Sequence, residues 1–511
     1  MTSHAQVHNA PPFQVWFSYH LACVPGVNAA TYPCERIHCD SLDQFFAVLQ
    51  HTESCFRGKK LSLFKADIDS AYRRVPVRAQ DRNHAAVVFH SSRGLLISEH
   101  FALPFGSVGF VYGWDRPGFM LRSFARRILK IPVLRYVDDY FGADRQECAE
   151  FALSAFARLV RACLGSTAIA EHKLEAGNPL VILGINVELT TAGARFSLDE
   201  KKAAAWIGQI DEALTNMRLF AGAVRASFCR LFAQRCVCAG VASKLGGRLA
   251  WCNSACFRKL GRNFLPPIFA RQRSSCVGIT NGSDLESALR WWRIVLAAGS
   301  CVLREWAPHA RPLCRLFVDA RSKPPRVAAV LVADKRIEYC DLEPPAEVLA
   351  LFKKRDDGDI MSLELLSIAL GLSSFAERLA GRNVEIFSDN TGLLLLSLVA
   401  GLHVVVFPCV CCSGAESATR KGSSKEWDHS CIVHCIWSKA LQLGTGLWIS
   451  RVPSKDNISD DPSREKYDLL KKCKAIRVRP CLDPVFSSSQ SWDSLSISSK
   501  LLVEEAAASA A

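Results

Sequence analysis

The chain has 511 residues, 49% of them hydrophobic, and a formal net charge of +14. That length and apolar content give several domains with substantial cores and exclude a disordered or fibrous chain, while the positive excess favours a polyanionic partner, most often nucleic acid. The 22 cysteines form no regular framework and residues 1–10 carry no leader of charged and then apolar residues, so free thiols in a reducing, intracellular setting (nuclear or cytoplasmic, not secreted) are expected.

Residues 1–40 are poorly patterned. Leu42, Phe45, Phe46 and Leu49 are spaced as one face of a short helix, with Asp40 or Ser41 as its cap. Residues 61–67 read as a buried strand that ends on Asp67. Asp at a strand end is ordinary turn chemistry, and it is also a good place for a metal ligand. Residues 87–89 and 95–98 predict a strand pair. Pro104, Gly106 and Gly109 then break regular structure before helical spacing resumes over 110–130. Residues 134–142 read as strand, tight turn, strand, with Asp138 and Asp139 at the turn. Two adjacent carboxylates resist joint ionisation unless a cation neutralises them. A helix is expected over about 147–164, then Lys173, then a buried strand over 181–185.

In this order the segments resemble the polymerase motifs of reverse transcriptases. Asp67 with Tyr72, Leu103-Pro104-Phe105-Gly106, and Tyr136-Val137-Asp138-Asp139 are similar to the first three motifs. Lys173 and Leu183-Gly184 are similar to the fourth and fifth. The downstream stretches Ser388-Asp389-Asn390-Thr391 and Val452-Pro453-Ser454-Lys455-Asp456-Asn457-Ile458 are similar to those of the DIRS-type retrotransposons. The resemblance implies an RNA-directed DNA polymerase working on an RNA template, a DNA primer and dNTPs. Asp67 and Asp138, assisted by Asp139, would hold two Mg2+ (or Mn2+) ions for in-line phosphoryl transfer. It also implies Tyr72 beneath the incoming sugar, Phe105 and Gly106 lining the nucleotide and template site, and Lys173 near the departing phosphates. Asp69 is not required by the family pattern. Only 66 residues precede Asp67, so the fingers are expected to be shortened or replaced. The other reading is a decayed copy that binds nucleic acid through basic faces without synthesis.

Residues 198–269 read as helices in which arginines and lysines alternate with aromatics, resembling a thumb that tracks a duplex backbone. Pro266, Pro267 and 271–275 read as a linker, and a helix near 285–298 as a connection. Further on, Asp319 ends a strand, Glu364 lies on a helix over about 360–379, Asp389 ends a second strand, and Asp460 opens a late helix. That order resembles the ribonuclease H fold and implies a second pair of metal ions, held by Asp319, Glu364, Asp389 and Asp460, to hydrolyse the RNA of an RNA/DNA hybrid. Asp461 is the alternative to Asp460. The family's late His is missing from 452–456.

The apolar run 393–412 is long enough for a membrane span, but it interrupts the ribonuclease H pattern and is read as an insertion, with no membrane partner expected. Cys409, Cys412, Cys431 and His434 have zinc-like spacing, and unliganded thiols are expected there. The expected architecture is α+β and α/β multidomain: 1–40 poorly patterned, 41–197 polymerase fingers and palm, 198–270 helical thumb, 271–309 connection. A ribonuclease H-like domain over 310–470, with its insertion at 393–413, and a basic, then Ser/Ala-rich tail over 471–511 complete it.

Overall fold

A computed structural model describes residues 18–20, 35–91, 94–104, 108–169, 171–216, 241–257, 260–274, 278–299, 301–306, 311–353, 355, 359–389 and 426–482. Phe105, Gly106, the apolar run 393–412 and the tail beyond 482 lie outside these residues. The chain divides into two compact units, Met1–Arg195 with Arg304–Ala307, and Phe196–Leu303 with Pro308–Ala511. Among the described residues no helix is long and apolar enough to cross a membrane.

The first unit contains β1 (Ser18–His20), α1 (Leu42–Cys55), β2 (Leu61–Asp67), β3 (Ala86–Ser91), β4 (Gly94–Glu99), α2 (Val108–Arg127), β5 (Leu134–Tyr136), β6 (Asp139–Arg145), α3 (Gln146–Leu164), β7 (Leu174–Gly177), β8 (Leu180–Ile182) and β9 (Ile185–Leu189). Ser41, not Asp40, caps α1: its hydroxyl accepts from the Gln44 N–H while the Gln44 side chain accepts from the Ser41 N–H, a capping box. Four antiparallel strands run in the order β5-β6-β2-β7, and a second sheet has the order β1-β3-β4. Phe64, Ala66 and Tyr140 of the four-stranded sheet bury with Trp114 and Leu121 of α2 and with Phe156 and Val160 of α3. Alternation along β2 and β6 sends these side chains to the core.

The expected single strand over 181–185 is a hairpin instead. Ile182 pairs with Ile185 across a two-residue turn, Leu183 (φ 49°) and Gly184 (φ 81°). Two consecutive left-handed residues match the twist of the flanking strands, and the apolar run conceals that turn in the sequence.

The border between the units falls within β10 (Gly193–Leu198). The second unit begins with α4 (Glu200–Thr215) and α5 (Val241–Cys252). Pro266 and Pro267, expected in a linker, open the helix α6 (Pro266–Arg271), because proline at a first helical turn forfeits no intrahelical bond. In α7 (Asp284–Ala297), Trp291 and Trp292 are fully buried, and Trp291 stacks on Phe264 at 4.4 Å.

A six-stranded sheet follows, built from β11 (Cys301–Glu305)'s successors β12 (Leu313–Ser322), β13 (Pro325–Ala333), β14 (Arg336–Leu342), β15 (Asn383–Ser388), β16 (Gly446–Arg451) and β17 (Ile476–Arg477), in the order β16-β15-β12-β13-β14-β17. β12, β13 and β14 are antiparallel, whereas β12–β15, β15–β16 and β14–β17 are parallel. α8 (Ile360–Ser374) packs on β12 and β13 and is covered in turn by α9 (Trp427–Gln442). Every residue of α8 from Met361 to Ser373 is buried. A helix enclosed on all sides is apolar all round, so an acidic residue on it stands out.

Candidate active sites

The first site is built where β2 ends and β6 begins. Asp67 stands opposite Asp139 in the register, and the Ile68 N–H donates to the Asp138 carbonyl at 3.3 Å. Asp138 occupies the two-residue turn between β5 and β6, after Val137 at φ 55°. A β-branched residue there is strained and needs external support. Trp114 provides it: its indole N–H donates to the Val137 carbonyl at 3.0 Å from a fully buried position. The preceding Arg135 is buried on Asp115, and its N–H donates to Asp40 at 2.8 Å. Asp40 in turn holds Arg122 at 2.8 Å. Trp114, Arg135, Asp115 and Asp40 were not identified from the sequence. A Trp on an amphipathic helix reads as core, and an Asp ahead of a helix reads as a cap.

Burial pushes the Asp138 carboxyl up, and Asp67 adds to the effect. Burial, then Asp138 and Asp67, push Asp139 up to about 6. Carboxylates crowded in this way suit divalent cations. Lys173 closes a short 3₁₀ turn before β7, and its ammonium lies 2.8 Å from Asp67 and 3.6 Å from Asp69. Asp69 also pairs with Arg74 at 3.4 Å. Tyr72 is half-buried on the turn Ala71–Arg74, against Val77 and Leu103. Burial and Asp138 raise its phenol's pKa. Asp67, Asp138, Asp139, Lys173 and Tyr72 are therefore brought into one neighbourhood. Phe105 and Gly106 lie outside the described residues.

The second site is tighter. Among the described residues, Asp319, Glu364 and Asp389 form the one group of three acidic, His or Cys side chains whose ligand atoms all lie within 4.8 Å of one another. Asp319 comes from β12, Glu364 from the enclosed helix α8, and Asp389 directly follows β15, which is the parallel neighbour of β12. Burial, then Asp319 and Asp389, drive the Glu364 carboxyl well above the usual range. Asp319 is pushed up to about 7, first by burial and further by Asp389 and Asp460, against a hydrogen bond from Ser463. Three carboxylates this close together, two of them buried and one half-buried, fit a hard divalent cation.

Asp460 is not part of that close trio, and its carboxylate pairs with Arg464 at 2.7 Å. The short helix α10 (Asp460–Ser463) that carries it is held to β12 by Asn457, whose amide donates to the Val318 carbonyl at 3.1 Å, and by Ser463 on Asp319. His434 lies among Phe264 and Trp291, and its Nδ1 bonds the Leu260 carbonyl at 3.0 Å. Cys431 is buried, and Cys409 and Cys412 are outside the described residues.

No protein-family model and no curated protein matches the chain. Among solved structures, it is similar to a foamy viral protease-reverse transcriptase in complex with an RNA/DNA hybrid, at 12% identity and a TM-score of 0.34, covering 78% of this chain and 45% of that one. It is also similar to a foamy viral protease-reverse transcriptase dRH in complex with double-stranded DNA (11%, 0.36, covering 83% and 61%). A third is the foamy viral protease-reverse transcriptase with double-stranded DNA (13%, 0.35, covering 71% and 64%). This chain thus spans less than two-thirds of each.

Proposed function

We propose that this chain is the RNA-directed DNA polymerase of a retroelement, resembling the DIRS type, with a fused ribonuclease H-like domain. The observation that carries the reading is the opposition of Asp67 and Asp139, with Asp138 in the adjoining turn and Lys173 on Asp67. Asp67, Asp138 and Asp139 would hold two Mg2+ (or Mn2+) ions. Bound there, the ions supply activation of the primer's 3′-hydroxyl and neutralisation of charge on the triphosphate. The chain's own groups orient the reactants. The strained turn presents Asp138, Trp114 keeps that turn in place, and Tyr72 bounds the side from which a sugar approaches. Phe105 and Gly106 line the nucleotide and template site in this reading. Lys173 exchanges its carboxylate partner for the departing pyrophosphate.

In the second unit, Asp319, Glu364 and Asp389 are the ligand set for hydrolysis of the RNA strand of an RNA/DNA hybrid, and Asp460 completes it once Arg464 releases its carboxylate. In this reading, palm and fingers occupy 41–197, the thumb 198–270, the connection 271–309 and the ribonuclease H-like domain 310–470.

Primer extension on an RNA template with Mg2+ tests the assignment. Wild type should extend the primer, and Asp138→Asn should lower extension by about a hundredfold or more. Equal extension by the two proteins refutes it. Salt-sensitive binding with no synthesis by wild type would instead identify a nucleic-acid binder.

A further inference from the structure

Phe101 lies just before the segment Leu103-Pro104 and is 66% exposed. Its backbone is nevertheless fixed. The Phe101 carbonyl accepts from the Val77 N–H at 2.9 Å, Ala102 bridges Pro76, and the Leu103 N–H donates to the Val75 carbonyl at 3.0 Å. The Arg82 guanidinium lies 4.2 Å from the ring centroid, and Arg73 meets His100, the residue before Phe101, at 3.2 Å. Several other arginines of this unit have a carboxylate partner: Arg74 has Asp69, Arg116 has Glu35, Arg161 has Glu171. Among the described residues no carboxylate pairs with Arg73 or Arg82, although Asp81 and Glu99 are close in sequence. The Arg82 Nε is buried with no hydrogen-bond partner.

An exposed aromatic ring on a rigid backbone, with the Arg82 guanidinium over it and Arg73 on the preceding His100, matches one ligand chemistry well. We propose that Phe101, with Arg73 and Arg82, forms a ledge for a single-stranded stretch of nucleic acid. One base stacks on the ring and the guanidiniums take the neighbouring phosphates. Stacking reads the flat face that every base has, so the ledge is tolerant of sequence. Only the identification of that strand as a template rests on the polymerase reading; the binding itself does not.

The test is fluorescence anisotropy with the full chain and short labelled RNA and DNA single strands, base-bearing and abasic. Phe101→Ala should weaken binding of base-bearing strands by about tenfold and leave abasic strands unaffected, and Phe101→Trp should restore affinity. Arg82→Gln should weaken both and flatten the slope of log affinity against log salt by about 0.7. Loss confined to RNA or to DNA assigns the ledge to that strand. Equal affinity of wild type and Phe101→Ala for base-bearing strands overturns the proposal, as does a loss that is the same on abasic strands. Binding is read without metal or dNTPs, so a failure of primer extension removes the polymerase reading without touching the ledge.

Discussion

Asp67 and Asp139 face each other across the antiparallel β2–β6 pair, at the end of the register that begins with Leu61 opposite Arg145. Seventy-odd residues separate them in sequence, and the pleat alone brings their side chains to the same face of the sheet. Like charges directly opposite are unfavourable in an ordinary sheet, and Lys173 at 2.8 Å from Asp67 offsets part of that cost. The same logic governs the second site, where the cost is greater because Glu364 is enclosed by its helix's neighbours.

A first prediction concerns that cost. With chelator present, Glu364→Gln should stabilise the protein, because it removes a buried carboxylate crowded by Asp319 and Asp389. With Mn2+ or Mg2+ the order should reverse. Wild type should gain about 2.7 kcal/mol at a metal concentration one hundred times Kd, and the variant should gain much less. Differential scanning fluorimetry with and without metal reads both arms. A variant that melts below wild type in chelator would contradict the crowding argument.

A second prediction tests the packing beneath the first site. Gly142 lies opposite Phe64 in the β2–β6 pair. A Cβ there would come within 2.8 Å of the Pro132 carbonyl as well as against the Phe64 ring. Backbone cannot yield as a side-chain tip can, so Gly142→Ala should cost about 1–3 kcal/mol, read as a lower urea midpoint. Because β6 begins with Asp139, three residues before Gly142, primer extension should fall more steeply than stability. A variant of unchanged stability would place this glycine outside the tight contact.

What the sequence disclosed here, and what it concealed, follows from the range of the interactions involved. Local patterning placed Asp67 at a strand end and Asp138 and Asp139 at a hairpin turn, because both are short-range features. The helix over 41–49 was legible for the same reason, with Asp40 or Ser41 as its cap; the structure carries it on to Cys55 and caps it with Ser41. Long-range support was not. Nothing near Trp114 indicates that its N–H will pin Val137, and nothing near Asn457 indicates that its amide will reach Val318. The Leu183–Gly184 turn was hidden because its flanks, Ile182 and Ile185, continue an unbroken apolar run. Pro266 and Pro267 misled because proline marks both linkers and first helical turns, and only the burial of Ile268 distinguishes them.

A third prediction uses acid. His434 is fully buried between Phe264 and Trp291, and burial lowers its pKa to about 4 from the ordinary 6.5, against a hydrogen bond to the Leu260 carbonyl. Its folded-state pKa is thus below its unfolded value. As pH falls below about 6.5 the unfolded chain takes up the proton and the folded chain does not, so stability present at neutral pH is lost toward pH 4. The loss should approach about 3 kcal/mol. Urea unfolding of wild type and His434→Gln across that range isolates it, because the carboxylates titrate alike in both proteins. A constant difference between the two would show that the ring is not held neutral.

The last prediction concerns how the chain after Asp460 is fastened to the second unit. The Asp341 side chain, on β14, has no exposed surface and accepts from Arg326 at 2.6 Å, from Arg477 at 3.0 Å and from the Tyr467 hydroxyl at 3.1 Å. Arg477 belongs to β17, which adds to the sheet in parallel beside β14 through only the pairs Glu338–Ile476 and Tyr339–Arg477. So short a strand has little ladder to hold it, and the buried carboxylate supplies the rest. Asp341→Asn would leave Arg326 paired with Glu465 at 2.9 Å but Arg477 without its charge partner. Breaking a buried ion pair from one side costs about 3 kcal/mol or more. Limited proteolysis should therefore cleave near 473–479 in the variant well before wild type, and hydrogen exchange at Val478, whose N–H donates to the Tyr339 carbonyl at 2.8 Å, should quicken. Arg477→Met should reproduce the proteolysis with a smaller loss of stability, because it removes a charge that is largely exposed. Identical cleavage of wild type and Asp341→Asn would assign the fastening to the apolar contact of Leu470 with Val330 and Tyr339 instead.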